Sequence, residues 1–230
     1  MKNRLPLILL GVLVATGFAM LGRWQLHRAL EKQHMLDSLA QAMQRRHARP
    51  LALADQAAGY DWAAGSGRFL TSPVLLLDNQ RYGEAVGVHV YLPFQPETGH
   101  VLLVDMGWLQ LPADRKLPVI VAPAGDQQVS GLLSPPPSPG IALGPAYTEQ
   151  GRNWLLTRLD IPALSASSRL HLAPRILRLD PALSLGYTRD LDLLSNTLPP
   201  ERHRGYAVQW FGLALAVLVT TVFLSLRRRP

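Results

Sequence analysis

His203, Tyr206 and Trp210 follow one another at spacings of three and four, so on a helix they share one face. A neutral imidazole is a good axial ligand for haem iron, and a face carrying Tyr206 and Trp210 can pack against a flat macrocycle. The same three residues also fit an interfacial histidine within an ordinary aromatic belt, where Tyr and Trp gather at the edge of a membrane. A second group lies near the other end of the chain: Arg23, Arg28 and Lys32. Arginine pairs bidentately with carboxylates, so these cations can hold the acidic groups of a ligand such as propionates, and Arg28 is the better placed. Arg23 and Trp24 read more simply as a headgroup anchor. Trp24 and Gln25 can also hold two helices together.

The remaining candidates are weaker. His27 and His34 share a helical face with Met35 beside them, a set that copper accepts, but there is neither a cysteine nor a closer histidine pair to complete it. His89, His100 and His171 are scattered and read as surface or core residues. The chain has no cysteine at all, which excludes disulfides, a covalent haem attachment and a cysteine nucleophile within it. No Gly-x-Ser-x-Gly elbow, His-Glu-x-x-His or phosphate-binding glycine loop occurs, so no enzymatic role is expected. Asp78, Asp105 and Asp160 lie in or beside apolar stretches, where aspartate caps turns or pairs with arginine.

Two apolar runs must position these residues. Residues 206–226 carry no charged side chain and are long enough to cross the roughly 30 Å apolar core of a bilayer. Residues 5–22 form a second such run, read as an uncleaved anchor because Ala19-Met20-Leu21 makes a poor signal-peptide cleavage site. Lys2 and Arg4 flank one run and Arg227, Arg228 and Arg229 the other, which places both termini in the cytoplasm and residues 23–204 outside it. Five of the 23 Lys and Arg residues thus sit in the tails, and the 18 that remain face 16 acidic residues. The basic excess is mostly a topology signal, and nucleic-acid binding is not expected. On the small-xxx-small pattern, Gly11, Ala15 and Ala19 are expected to pack against Gly212 and Ala216, leaving the His203 side free.

The intended division is a membrane helix over 1–22, a helical arm over 23–49, a β-rich domain over 50–205, a membrane helix over 206–226 and a basic tail over 227–230. The arm is rich in helix formers, has an apolar stripe of Leu36, Leu39, Ala40 and Met43, and is stopped by Arg49-Pro50. Strands are predicted over 67–70, 74–80, 86–94, 101–110, 127–133, 154–159 and 175–179, with a short helix over 161–168. The stretch 101–110 is apolar on both faces and hence central, and Pro135–Pro139 reads as a stiff polyproline loop. The class is α+β, with two membrane helices flanking a β-rich, mainly antiparallel extracytoplasmic domain.

Five stretches resemble the surfeit-locus family of cytochrome c oxidase assembly proteins. They are Leu21-Gly22-Arg23-Trp24-Gln25-Leu26 with Arg28 and Lys32; Leu77-Asp78-Asn79-Gln80 with Gly87, His89 and Val90; Val104-Asp105-Met106-Gly107-Trp108 with Arg115; Val129-Ser130-Gly131-Leu132; and His203 with Tyr206-Ala207 and Gln209-Trp210-Phe211. The resemblance runs from the first membrane helix to the second, and its first and last motifs are the specific ones. It implies a multi-pass protein of the bacterial inner membrane that assists maturation of a haem-copper oxidase without catalysing a reaction. It further implies transient binding of haem a, with His203 as the iron ligand and Tyr206, Trp210 and Arg28 around the cofactor, and delivery to the oxidase catalytic subunit. A membrane-anchored scaffold that stabilises an assembly intermediate without cofactor is the alternative. Expected partners are that subunit, haem a and membrane lipids.

Overall fold

The computed structural model describes residues 4–56, 59–112, 114–138, 144–191 and 198–227. Lys2, Pro139, Arg228 and Arg229 lie outside them. Two compact units are present, Met1–Asp37 with Leu194–Pro230, and Ser38–Leu193.

The terminal unit is helical. Helix α1, Leu5–Arg45, is continuous, so the expected first span and arm are one element, and the final helix spans Pro200–Leu226. Proline is at home in a first helical turn because its missing N–H has no partner to lose there. Both helices are long and apolar enough to cross a membrane, with mean hydropathies of 2.2 and 2.0. Their large apolar side chains point outward: Leu13, Met20 and Val208 are each about two-thirds exposed or more. Contiguous exposed apolar surface on that scale marks a protein that meets lipid.

The helix ends at Arg45, earlier than the proline predicted, because Arg46 takes a left-handed conformation (φ 37°). Its guanidinium lies 4.7 Å from the centre of the Trp62 ring and 3.7 Å from an Asp180 carboxylate oxygen. Leu39, Ala42 and Met43 of the expected stripe region pack with Trp62, Leu132 and Leu191, while Ala40 is exposed.

In the central unit the strands are β1 (Arg49–Pro50), β2 (Asp61–Phe69), β3 (Val74–Tyr82), β4 (Ala85–Pro96), β5 (Val101–Gln110), β6 (Asp126–Ser134), β7 (Tyr147–Gln150), β8 (Asn153–Leu156) and β9 (Leu172–Leu179). A 3-10 helix, Leu51–Asp55, precedes β2, and α2, Ile161–Ser168, precedes β9. The sheet order is β1-β2-β6-β9-β5-β4-β3-β8-β7, and β2 pairs again with β4. That last pairing closes β2, β6, β9, β5 and β4 into a ring. It runs through Gly67 opposite Pro96 and Phe69 opposite Phe94. Glycine is required at 67 because a Cβ would strike the Gln95 carbonyl oxygen. Antiparallel pairings dominate, with parallel ones at β1–β2, β3–β8 and β5–β9.

Side chains alternate across these strands, as the period of two demands. Val88, Val90, Leu92, Phe94, Leu102, Val104 and Leu177 fill the inner core. On the outer face Leu75, Tyr91, Leu103 and Ile176 pack with Leu164 of α2 in a second core. Strand β5 therefore lies between two apolar layers, which is why its sequence is apolar on both faces. Asp160 caps α2 by accepting from Ala163 N–H at 3.1 Å, the turn-capping role expected of it.

Arg175 is the exception within the barrel. It follows Ala173 and precedes Leu177 on the inward-facing set of β9 and is fully buried. Pro174 beside it lies within a register shift between β9 and β5, where the missing N–H is tolerated. The guanidinium donates to Asp61 Oδ2 at 3.0 Å and to the Leu133 carbonyl at 3.0 Å. A buried charge survives only with partners of this kind.

Candidate functional site

Within the terminal unit α1 and the last helix, α3, run antiparallel. At one end the Arg4 guanidinium reaches the Arg227 carbonyl (3.5 Å), and further along Phe18 meets Trp210, with ring centres 5.5 Å apart. Between Gly11 and Ala29 the buried or half-buried positions on α1 that face α3 are Gly11, Ala15, Phe18, Gly22, Gln25 and Ala29, with Ala19 half-buried beside them. On α3, from Pro200 to Thr221, they are Pro200, His203, Ala207, Trp210, Ala214, Val217 and Thr221. Steps of three and four alternate on both helices, the spacing of a coiled-coil seam. The small residues let the backbones approach closely, with Thr221 against Gly11 and the Phe211 ring against Gly22.

This seam corrects the expected pairing. Gly11 and Ala15 are on it, and Ala19 borders it, but Gly212 and Ala216 are not: a Cβ at Gly212 would meet nothing within 4 Å, and Ala216 is exposed. The two lie roughly opposite His203 on a helix turning about 100° per residue. The side expected to stay free is therefore the side that packs, and His203 is only 8% exposed.

His203 Nδ1 lies 2.7 Å from the amide oxygen of Gln25. An amide oxygen only accepts, so Nδ1 is the donor in this contact, and in the neutral ring Nε2 then keeps its lone pair. That is the tautomer of a histidine ready to ligate through Nε2, with its other nitrogen held by a carbonyl-type acceptor. Of the two residues expected to hold the helices together, Gln25 does so, whereas Trp24 is 55% exposed. Gln25 is also the residue whose role at His203 the sequence did not disclose, since nothing in its spacing shows which residue of α3 it faces.

The other predicted residues divide. Trp210 lies on the seam with His203 and stacks at a tilt on Phe18. Tyr206 lies off the seam and is 39% exposed. Arg28 is engaged by Glu31 at 2.8 Å, and Arg204 reaches Gln33 Oε1 at 3.5 Å. His27 also approaches Glu31, at 3.2 Å. Among the described residues no group of three or more His, Asp or Glu side chains is arranged to hold a metal ion, so the copper reading of His27 and His34 gains no geometry.

The central unit has a polar cluster of its own on the outer face of the barrel. Asp105, buried, accepts from Gly107 N–H at 3.0 Å, lies 3.1 Å from His89 Nδ1 and 3.9 Å from Arg178 Nε. Burial pushes the Asp105 carboxyl up, but the His89 charge and hydrogen bond, Arg178 and the Gly107 amide outweigh it and hold the group below the usual carboxylate range. Burial and the Asp105 charge together push the Tyr91 hydroxyl well up. Asp78 is held by Arg115 at 2.6 Å. These aspartates are structural partners for cations and backbone, as their sequence setting suggested.

Comparison with known proteins covers the whole architecture. The sequence model of the SURF1 family matches residues 12–215, from the first apolar helix into the last. The chain is 29% identical over 233 aligned positions to a SURF1-like protein of Rickettsia conorii, covering 99% of this chain and 91% of the relative. It is 28% identical to a SURF1-like protein of Rickettsia felis, covering 96% of this chain and 95% of that one. Both Gln25 and His203 fall inside these matched regions.

Proposed function

Because the chain belongs to the SURF1 family, whose members are oxidase assembly factors, we propose that it is a non-catalytic, membrane-held factor that carries haem a to the catalytic subunit of a haem-copper oxidase. His203 is the iron ligand in this reading. The observation that carries it is the Gln25–His203 hydrogen bond, which leaves Nε2 with its lone pair available. Trp210 and Phe18 supply aromatic surface about two helical turns along the seam from the imidazole, and Tyr206 stands exposed three residues on. Arg204, whose contact with Gln33 is long, is free to meet a propionate, while Arg28 would have to exchange its bond to Glu31. Bound haem supplies the iron coordination site; the chain's own residues orient the imidazole and neutralise the acidic edge of the cofactor.

The location that fits this work is the inner membrane, with both termini cytoplasmic and the β-rich unit periplasmic. Antiparallel helices bring their outer ends together, and the basic residues Arg4 and Arg227 lie at those ends.

One observation favours the scaffold reading. His203 is buried in a helix seam, where a single polar pair can do no more than set the register of two helices. The absorption spectrum of protein purified from haem-a-producing cells separates the two. A Soret band in the purified protein supports the carrier. Protein that is folded, inserted and free of haem supports the scaffold.

A further inference from the structure

We propose that Gln25 is a positioning residue that sets which nitrogen of His203 faces iron and keeps that ligand weak enough to be released. The inference rests on His203 being the haem ligand. Among the described residues Gln25 is the side-chain partner of the His203 ring, through Oε1 to Nδ1 at 2.7 Å. Neutral imidazole in water prefers its proton on Nε2, the nitrogen that would have to ligate, so a group accepting at Nδ1 is what exposes the lone pair on Nε2. Gln25 is held in place by the seam: Gly22 and Ala29, a turn on either side, are buried, and the Phe211 ring packs against Gly22.

The acceptor is an amide and not a carboxylate. A carboxylate at this position draws the Nδ1 proton toward itself and makes the imidazole a stronger, more imidazolate-like donor to iron, whereas a neutral amide orients the ring with little added basicity. Fixed geometry with modest ligand strength suits a protein that must hand its cargo on. The seam thus does two jobs with one bond: it ties the two helices together and it gives the Nδ1 proton an acceptor.

The test uses full-length protein in nanodiscs with nitrogen-15 histidine, the His203 signal being identified by its loss in His203→Asn. In haem-free protein the wild type is expected to show the Nδ1–H tautomer, Gln25→Leu a shift toward Nε2–H, and Gln25→Glu the original tautomer. A wild-type signal already in the Nε2–H form, or one that Gln25→Leu does not change, overturns the proposal before haem is involved. In haem-loaded protein, Gln25→Leu is expected to bind about 10-fold more weakly, and Gln25→Glu to bind more tightly with a lower midpoint potential. Cysteine cross-linking between Ala15 and Ala214 positions reports that the helices still pair in each variant. If His203→Asn loses haem while Gln25→Leu keeps wild-type affinity and potential, the ligand stands and the positioning role falls. If His203→Asn keeps its full haem, the ligand reading fails and this inference fails with it, whatever the tautomer.

Discussion

The helix seam and the barrel interior are both closely packed, yet they are filled from opposite ends of the side-chain scale. Apart from the Phe18–Trp210 pair, the seam is lined mostly by small residues, Gly11, Ala15, Gly22, Ala29, Ala207 and Ala214, and many large residues of the same helices, such as Leu13, Val208 and Phe223, face outward. The barrel does the reverse, burying Leu92, Phe94, Leu102 and Leu177. In water each such buried side chain stabilises the fold by about 1.5–3 kcal/mol, which is reason enough for the barrel's arrangement. Lipid offers no such gain, so helices there associate through close backbone approach and a few polar contacts. The polar residues follow suit: a hydrogen-bonded Gln25–His203 pair in the seam, a charged Arg175–Asp61 pair in the barrel. One chain carries two packing rules because it folds in two solvents.

The broadest way to break that comparison is to ask where each region lies. Alkaline phosphatase fused after residue 50 or residue 130 is expected to be active and fused after residue 230 inactive. Activity at the last site, or none at the first two, contradicts the placement of the β-rich unit across the membrane.

Within the barrel, Arg175→Met removes the fully buried partner of an ion pair whose aspartate, Asp61, is partly exposed, and takes the guanidinium donor from the Leu133 carbonyl. It is expected to destabilise the central unit by about 3–5 kcal/mol, measured by denaturant titration of the intact protein. A loss under about 1 kcal/mol would show that the pair is worth no more than a surface salt bridge.

The seam is expected to respond less, and position by position. Gly22→Leu should weaken helix pairing by about 1–2 kcal/mol, because its side chain would run into the Phe211 ring, while Gly212→Leu enters open space and should leave pairing unchanged. Cross-linking of cysteines placed along the seam reads both. Equal effects would mean that the helices pair on another face.

The smallest effect concerns acid. The Asp105 carboxyl is held below its ordinary value in the folded state, so its contribution is complete above the unfolded carboxylate pKa of about 4 and is lost as pH falls through the lower folded value. Asp105→Asn should therefore flatten the fall in stability below about pH 4, followed as melting temperature against pH. An unchanged profile would assign the acid sensitivity to other carboxylates.

Much of the fold was legible because it rests on local pattern. Strand 101–110 and helix 161–168 have the predicted bounds, since an uninterrupted apolar run and a proline start behind an aspartate cap are both local signals. Strand β2 was seen only from residue 67, because Ala63, Ala64, Gly65 and Ser66 carry little strand propensity, and their pairing is set by β6 across the sheet. Strand β7, four mostly exposed residues, has no apolar alternation to show. Closure of the barrel depends on β2 meeting β4, a long-range contact that no window along the chain contains. At the site, the residue types were legible and the facing was not. Gly212 and Ala216 have the small-xxx-small spacing, but the seam follows the alternating three and four steps from His203 through Ala207, Trp210 and Ala214. Small residues are also found on lipid-facing surfaces, so their spacing alone does not choose a face.

The most direct measurement is the haem content and Soret spectrum of His203→Ala beside the wild type, both purified from membranes of haem-a-producing cells. Loss of an axial ligand removes a metal bond, whereas loss of one seam hydrogen bond costs a helix pair only about 1 kcal/mol. The expected variant inserts normally and carries little or no haem, with Tyr206→Phe close to wild type. A His203→Ala protein with full haem and an unchanged spectrum would contradict it.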